Sequence, residues 1–121
     1  MARKRLIFLV TADPAADPSP VVTAYRFARA AASARLEAEV RLAGDAVLVA
    51  DAAYVATVPG AESLREQLDA AAHRVAVTAC PQAAGAHGIH PDQLSAISAR
   101  PRPLAEILVE VAEGSSVLVH L

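Results

Sequence analysis

Residues 5–11 read RLIFLVT, an apolar run that carries one charge, at its first position, and this run decides the fold class. A strand with one face in water alternates apolar and polar residues, whereas a strand buried on both faces is apolar throughout. The run ends where the loop 12–20, ADPAADPSP, brings in proline and aspartate. We therefore expect a central strand in a sheet that is covered on both faces.

Helical patterns alternate with further apolar segments along the rest of the chain. Ser19 and Pro20 have the residue types of a helix N-cap and a first helical residue, so a helix is predicted to start there. A second helix is predicted over 61–74. A third is predicted to begin after Pro103 and to end at Gly114. The predicted buried stripes are Val21, Tyr25, Ala28 and Ala32; Leu64, Leu68 and Ala71; and Leu104, Ile107, Leu108 and Val111.

Four further segments are predicted to be strands, at residues 37–43, 74–80, 92–98 (the weakest) and 116–120. The stretch 46–54 stays open between a strand and a short helix that Asp45 would cap. Apolar strands that alternate with amphipathic helices indicate an α/β protein with helices on both faces of a parallel sheet. The predicted fold is a three-layer α/β/α sandwich with a mainly parallel five-stranded sheet, formed by residues 1–121 as a single domain.

Composition narrows the class of partner. Of the 121 residues, 55% are hydrophobic and 20% are charged, as in an ordinary globular domain, and the net charge is -2. With no net positive charge and only 3% aromatic residues, the chain lacks the basic field and the stacking surfaces of nucleic-acid-binding proteins. Nucleic acid is therefore not expected as a partner.

The cysteine count and the first apolar run bear on the compartment. A chain with one cysteine cannot form an intrachain disulfide, which fits a reducing compartment. The apolar segment 6–10 is too short to cross a membrane. The prediction is a cytoplasmic protein with no membrane partner.

The single cysteine lies in residues 75–85, VAVTACPQAAG, where a predicted strand stops and a proline follows. Pro81 suits a first helical position, which would make Cys80 the N-cap, beside free backbone N–H groups that favour a thiolate. The carboxyl ends of parallel strands are also where open sheets of this class bind ligands. His87 and His90 follow closely and could add positive charge. The alternative is that Cys80 is a small buried side chain without chemistry.

A metal site is a further alternative for the same segment. Cys80, His87 and His90 supply suitable ligands, but they need Asp92 as a fourth, and their spacing is not a standard zinc pattern. The chain also has no Gly-x-Ser-x-Gly elbow, no GxGxxG fingerprint after its first strand and no P-loop. Neither a metal nor a cofactor is therefore predicted.

Several segments occur in an order and at spacings typical of one known family. They are the first apolar strand, AGDAV at 43–47, VAVTACP at 75–81, GI at 88–89, PLAEIL at 103–108 and SVLV at 116–119. With them, the chain resembles the DsrE/DsrF-like family of small sulfur-relay proteins over nearly its whole length. The resemblance implies a flavodoxin-like sheet, a mostly helical 46–54, and a persulfide on Cys80 that is taken from a donor and handed to an acceptor thiol.

The leading functional hypothesis builds on this resemblance. Cys80 and His87 are the predicted catalytic residues of a sulfurtransferase-like protein, Cys80 as the sulfur carrier and His87 as its modulator. Thr11 and Asp13 are expected to line the same edge of the sheet. The implied partners are sulfur donor and acceptor proteins, in a homo-oligomer or a hetero-oligomer. The alternative is a non-enzymatic oligomeric or small-ligand-binding module of the same fold, in which Cys80 is structural.

Overall fold

A computed structural model describes residues 4–121 and shows five strands in one sheet within that range. The strands are β1 (Arg5–Val10), β2 (Ala38–Leu42), β3 (Ala76–Ala79), β4 (Ala99–Pro101) and β5 (Ser116–His120). The helices are α1 (Ser19–Ser33), α2 (Ala52–Val55), α3 (Ala61–Ala71), α4 (Pro81–Ala86), α5 (Pro91–Ala96) and α6 (Leu104–Ala112), with a 3₁₀ helix (Gly44–Ala50) before α2. No helix in the described range has the length and the apolar character needed to cross a membrane.

The sheet has the strand order β4-β3-β2-β1-β5, and every neighbouring pair is parallel. Parallel neighbours need crossover connections, and right-handed crossovers place the helices between β1 and β4 on one face and α6 on the other. On the first face, α1 packs against α3, β1 and β2. The predicted three-layer α/β/α sandwich with a parallel five-stranded sheet is confirmed.

β1 is buried on both faces, as the apolar run 5–11 predicts. Phe8 and Val10 belong to the main core, together with Tyr25 of α1. Ile7 points to the opposite face, which α6 covers, and is also fully buried. Burial of each such side chain contributes about 1.5–3 kcal/mol of transfer free energy. The uninterrupted apolar run is therefore the consequence of two covered faces.

Aspartate carboxylates fix the starts of two helices. The prediction that Ser19 is the N-cap of α1 is wrong: Ser19 is the first helical residue, and the N-cap is Pro18. The Asp17 carboxylate accepts a hydrogen bond from the Ser19 N–H at 3.0 Å. Residues 46–54 are mostly helical, as the family resemblance implies. There the Asp51 carboxylate accepts bonds from two N–H groups in the first turn of α2.

Residues 92–96 are helical and 97–98 form a turn, so the predicted short strand over 92–98 is wrong. Pro91 begins α5, and the Gln93 side-chain oxygen accepts a hydrogen bond from the His90 N–H at 2.8 Å. Proline at the first position and a glutamine in the first turn are helix-start signals, and they outweigh the weak apolar alternation that follows. The fourth strand comes directly after this helix.

α6 leaves two of the four residues of its predicted apolar stripe in solvent. Ile107 is buried, whereas Leu104 and Leu108 are each 53% exposed. The prediction that the whole stripe is covered is wrong for the single chain, because of its four residues only Ile107 is fully buried and Val111 is half-buried. The exposed large apolar side chains of α6, here called the α6 surface, are Leu104, Leu108 and Val109.

The two tyrosines predict opposite effects of losing a hydroxyl group. Tyr25 is 1% exposed, and its hydroxyl has no hydrogen-bond partner within residues 4–121. Tyr25→Phe is expected to raise the free energy of unfolding by about 1 kcal/mol, since it removes a buried unsatisfied polar group. Tyr54→Phe, the matched control, removes a donor to the Asp13 carboxylate at 2.5 Å and is expected to lower it. Urea denaturation measures both changes, and a destabilised Tyr25→Phe would contradict the argument.

Candidate functional site

Cys80 stands at the carboxyl end of β3. Its N–H donates to the Leu42 carbonyl at 3.0 Å, which continues the sheet for one residue past the strand. Pro81 then begins α4, with Cys80 as the N-cap residue. The cysteine is free and half-buried. Its predicted position, at a strand end and a helix start, is confirmed.

A groove opens beside Cys80 because the chain changes sides of the sheet at this point. β3 and β4 are neighbours, yet the connection after β3 covers one face, and α6, which follows β4, covers the other. Connections that diverge in this way leave a crevice between the two strands, which is the usual ligand site of open α/β sheets. In proteins with the flavodoxin strand order 2-1-3-4-5, the corresponding crevice lies between the first and third strands. The groove has a volume of about 380 Å³ and is lined by Cys80, Pro81, Gln82, Pro103, Leu104 and Ala105.

A buried group of charged and polar side chains lies on the face of the sheet that α6 covers. Its members, each at most 5% exposed, are Glu39 and Arg41 of β2, Thr78 of β3 and Arg102; we call it the buried charge network. The Glu39 carboxylate accepts hydrogen bonds from the Thr78 hydroxyl at 2.7 Å and from Arg102 Nη1 at 3.3 Å. Arg5 Nη1 adds a longer contact to the same carboxylate, at 3.4 Å. The charge of Glu39 is thus balanced by surrounding arginines.

Arg41 differs from the rest of the network because most of its guanidinium is unpaired. Its Nη1 donates to the Arg102 carbonyl at 2.5 Å and to the Thr78 hydroxyl at 3.4 Å. Within residues 4–121, Nε and Nη2 have no hydrogen-bond partner, and no carboxylate forms an ion pair with Arg41. Since the side chain is 1% exposed, bulk solvent does not reach these donors.

Cys80 is the group that most favours the charged form of Arg41. In the register of β2 and β3, Arg41 pairs with Thr78, and Cys80, two residues further on, points to the same face. Burial lowers the pKa of Arg41, while attraction to an ionised Cys80 sulfur, and then to Glu39, opposes that shift; a weaker side-chain contact with Cys80 acts in the same direction. The site therefore joins a half-buried sulfur in an open groove to a buried guanidinium.

His87 lies at the other end of α4 from Cys80. Cys80 precedes this helix and His87 follows it; at 1.5 Å per residue, the two are roughly 10 Å apart along the helix axis. His87 Nε2 forms a hydrogen bond of 3.0 Å with the Asp45 carboxylate. The structure therefore brings His87 to the 3₁₀ helix after β2 and not to the sulfur.

The two residues predicted from the end of β1 lie at the same edge of the sheet but not beside Cys80. Thr11 Oγ1 and His120 Nε2 form a hydrogen bond of 3.3 Å, and the Asp13 carboxylate accepts one of 2.5 Å from the Tyr54 hydroxyl. β2 separates β1 from β3, and neighbouring strands lie about 4.8 Å apart. About 10 Å of sheet therefore separates this cluster from the cysteine.

The ligands that the metal alternative requires are dispersed. Cys80 and His87 lie at opposite ends of α4, and His90 precedes α5 as its N-cap. In the described part of the chain, no group of three or more His, Cys, Asp or Glu side chains could hold a metal ion. The segment after β3 therefore offers no metal centre of the kind considered from the sequence.

Arg41 is the residue that the sequence analysis missed. Residues 37–43, EAEVRLA, show charged residues at alternate positions, a pattern typical of a strand face in water. The overlooked signal is the place of this strand in the sheet: with both faces covered, Glu39 and Arg41 on a central strand are buried. Buried charges need partners, and Arg41 was therefore a candidate for a site at the adjacent strand end.

Three solved structures are among those with the same fold. The ychN protein from E. coli is 18% identical, with a TM-score of 0.68 and coverage of 98% of this chain and 99% of that chain. MTH1491 from Methanobacterium thermoautotrophicum, described as of unknown function, is 20% identical, with a TM-score of 0.68 and coverage of 98% and 99%. BT1422 from Bacteroides thetaiotaomicron, a conserved protein of unknown function, is 15% identical, with a TM-score of 0.66 and coverage of 98% and 95%. At these identities, the likeness shows the fold alone.

A family model gives a second comparison. The model described as the DsrE/DsrF-like family matches residues 4–119, nearly the whole chain. The matched range contains Cys80, Arg41 and all five strands except the last residue of β5. No curated protein matches the chain at a significant level.

The bond between Tyr54 and Asp13 predicts a pH-dependent readout at this edge of the sheet. That bond, more than the backbone N–H of Ala15, holds the pKa of Asp13 below its ordinary value of 3.8. A carboxyl group with a depressed pKa stabilises the fold above its ordinary pKa, and this contribution is lost as the pH falls through the folded-state pKa. Tyr54→Phe is expected to raise the pKa of Asp13 toward 3.8, measured from its carboxyl carbon resonance in an NMR titration. An unchanged titration would mean that the bond is absent in solution.

Proposed function

The chain belongs to the DsrE/DsrF-like family, and we propose that it is a small sulfur carrier that relays sulfane sulfur as a persulfide on Cys80. One observation carries the proposal: Cys80 is half-buried in an open groove, with the buried guanidinium of Arg41 beside it. Reactive cysteines occupy partly exposed sites with positive charge nearby, whereas structural cysteines are enclosed and inert. In this role, residues 1–121 would act as a single domain.

The proposed reaction exchanges one sulfur atom between thiols. The Cys80 thiolate attacks the outer sulfur of a donor persulfide, R–S–SH, and a bond forms between Cys80 Sγ and that sulfur. The donor S–S bond breaks, and its electron pair leaves with R–S⁻. An acceptor thiolate then attacks the outer sulfur of Cys80–S–SH, and Cys80 leaves as the thiolate. Both steps balance without an oxidant or a reductant, so the single cysteine of the chain is sufficient.

His87 enters this proposal through α4 and not through contact with the sulfur. Its hydrogen bond to Asp45 ties the end of α4 to the 3₁₀ helix after β2. Cys80 begins the same helix, and its carbonyl accepts a hydrogen bond from the Ala84 N–H at 2.9 Å. We therefore assign His87 a positioning role: it holds the helix that carries the cysteine.

The α6 surface supports a protein as the sulfur-exchanging partner. Leu104 lines the Cys80 groove and is 53% exposed, and Leu108 continues the apolar surface along α6 to the next turn. A donor or acceptor protein has to bring its own sulfur to Cys80, and a protein seated on this surface covers the groove. We propose that donor and acceptor proteins dock here; a second copy of the chain in this place is the rival outcome, which light scattering would reveal.

Persulfide formation has a direct test. Reduced protein incubated with polysulfide is expected to gain the mass of one sulfur atom, since the chain has one cysteine. Cys80→Ser is expected to abolish the gain and leave the circular dichroism spectrum unchanged, because a hydroxyl group cannot form a persulfide. Intact-protein mass spectrometry measures both.

A different result would favour the alternative function. If folded wild-type protein gains no sulfur and its thiol also resists alkylating reagents, Cys80 is structural. The chain is then a binding module of the same fold, and the α6 surface is the feature that favours this reading.

Docking has a test that separates protein donors from small ones. Leu108→Glu is expected to slow loading from a thiosulfate-loaded sulfurtransferase by about tenfold, because docking would bury an unpaired carboxylate. Loading from polysulfide is expected to stay unchanged. Leu36→Glu is the matched control, since Leu36 is 47% exposed and lies outside the α6 surface. Equal rates for Leu108→Glu and wild type with the protein donor would contradict docking at this surface.

A further inference from the structure

We propose that the Nε and Nη2 edge of Arg41 is an anion site that binds the terminal sulfur of a persulfide on Cys80. This inference rests on the proposed function and identifies the atoms that hold the transferred sulfur. Arg41 is, on this proposal, a binding residue for a sulfur anion that the cysteine itself delivers.

The hydrogen-bond donors of Arg41 leave one edge of the guanidinium available. A guanidinium has five N–H groups, of which Nη1 carries two; these serve the Arg102 carbonyl and the Thr78 hydroxyl. The remaining donors, on Nε and Nη2, are buried and have no partner among residues 4–121. The N–H of Nε and one N–H of Nη2 lie along one edge of the planar group, the edge that binds anions side-on. Arg41 therefore has a complete donor edge for an anion.

The network also leaves the charge of Arg41 without a counterion. Glu39 is occupied by Arg102 and Thr78, and Arg102 pairs in addition with Glu106 and Glu110. A buried cation without an anion is unfavourable. An anion that reaches Arg41 would supply the missing charge and satisfy the free donors together.

The cysteine lies beside Arg41, so an added sulfur atom would lie close to the guanidinium. Arg41 pairs with Thr78 in the sheet. Cys80 follows Thr78 by two residues and therefore points to the same face of the sheet. A sulfur–sulfur bond of about 2.05 Å carries the terminal atom that far beyond Sγ. Arg41 is 1% exposed, which closes it to solute anions. The site is therefore selective for sulfur attached to Cys80.

The bound species is the anion Cys80–S–S⁻. It forms when Cys80–S–SH releases its proton to water, so no electrons move and no further reactant is needed. A persulfide that is bound in this form ionises at lower pH than one in solution, because hydrogen bonds to a charged form favour it.

The first test uses the unmodified protein and NMR. The Nε–H resonance of Arg41, assigned by triple-resonance experiments on the wild-type protein, is expected to shift when the protein is loaded with polysulfide. Arginine side chains on the surface, such as the exposed Arg100, are expected to keep their resonances. This measurement does not depend on the stability of any variant with a new residue in the network.

The second test compares pH profiles. The rate at which iodoacetamide alkylates the persulfide follows the fraction of the anion, and its pH midpoint is expected to rise by about one unit in Arg41→Gln. Arg100→Gln, which removes an exposed guanidinium, is the matched control and is expected to leave the midpoint unchanged. A structural role alone would not move this midpoint in a variant that still folds and loads.

The outcomes separate this inference from the function on which it rests. If wild-type protein gains no sulfur, the proposed function fails and the inference fails with it. If the wild-type protein gains sulfur, but the Arg41 Nε–H resonance does not shift and wild type and Arg41→Gln have the same alkylation midpoint, the carrier function stands and the Arg41 site is overturned. If Arg41→Gln does not fold, the NMR shift of the wild-type protein alone decides.

Discussion

The burial of a carboxylate on β2 is the constraint on which the rest of the site depends. Glu39 has no exposure and must be hydrogen-bonded, and Thr78 and Arg102 meet that requirement. Arg102 directly precedes Pro103, the N-cap of α6, so its bond to Glu39 fixes where this helix begins. The hydrogen bond between Arg102 and Glu39 therefore helps to position Pro103 and Leu104, which line one side of the groove.

Stability alone does not account for charges in this position. Replacing a buried ion network by apolar side chains is often neutral or stabilising, because desolvation of the charges offsets their attraction. The network here includes Arg41, which has free donors and no ion pair in the described part of the chain. Glu39 and Arg102 form an ion pair. Arg41 instead donates hydrogen bonds to the Arg102 carbonyl and the Thr78 hydroxyl, and it lies beside the Cys80 thiol. The unpaired member is the one that lies next to the Cys80 sulfur.

The parts of the fold that were predicted correctly are those that depend on local patterns. The apolar run 5–11 required two covered faces, and a strand end followed by Pro81 placed Cys80 at a helix start. The α6 surface and Arg41 were missed because both depend on distant segments. Arg41 is hydrogen-bonded to Thr78, which lies 37 residues further along the sequence. Nothing within residues 37–43 distinguishes a buried charged strand face from a solvent-exposed one. Such pairings come from strand order, which the alternation of helices and strands leaves open.

In the proposed role, storage and transfer of sulfur would make opposite demands on this site. An anionic outer sulfur repels an attacking thiolate, so a persulfide held by Arg41 would resist small thiols in solution. Transfer then requires the sulfur to leave the guanidinium and meet a thiol within the groove. Leu104 forms part of that groove and of the α6 surface, so a protein that docks there brings its thiol to the place of release. Protection would thus come from the buried cation, and selectivity from the apolar side chains that line the groove.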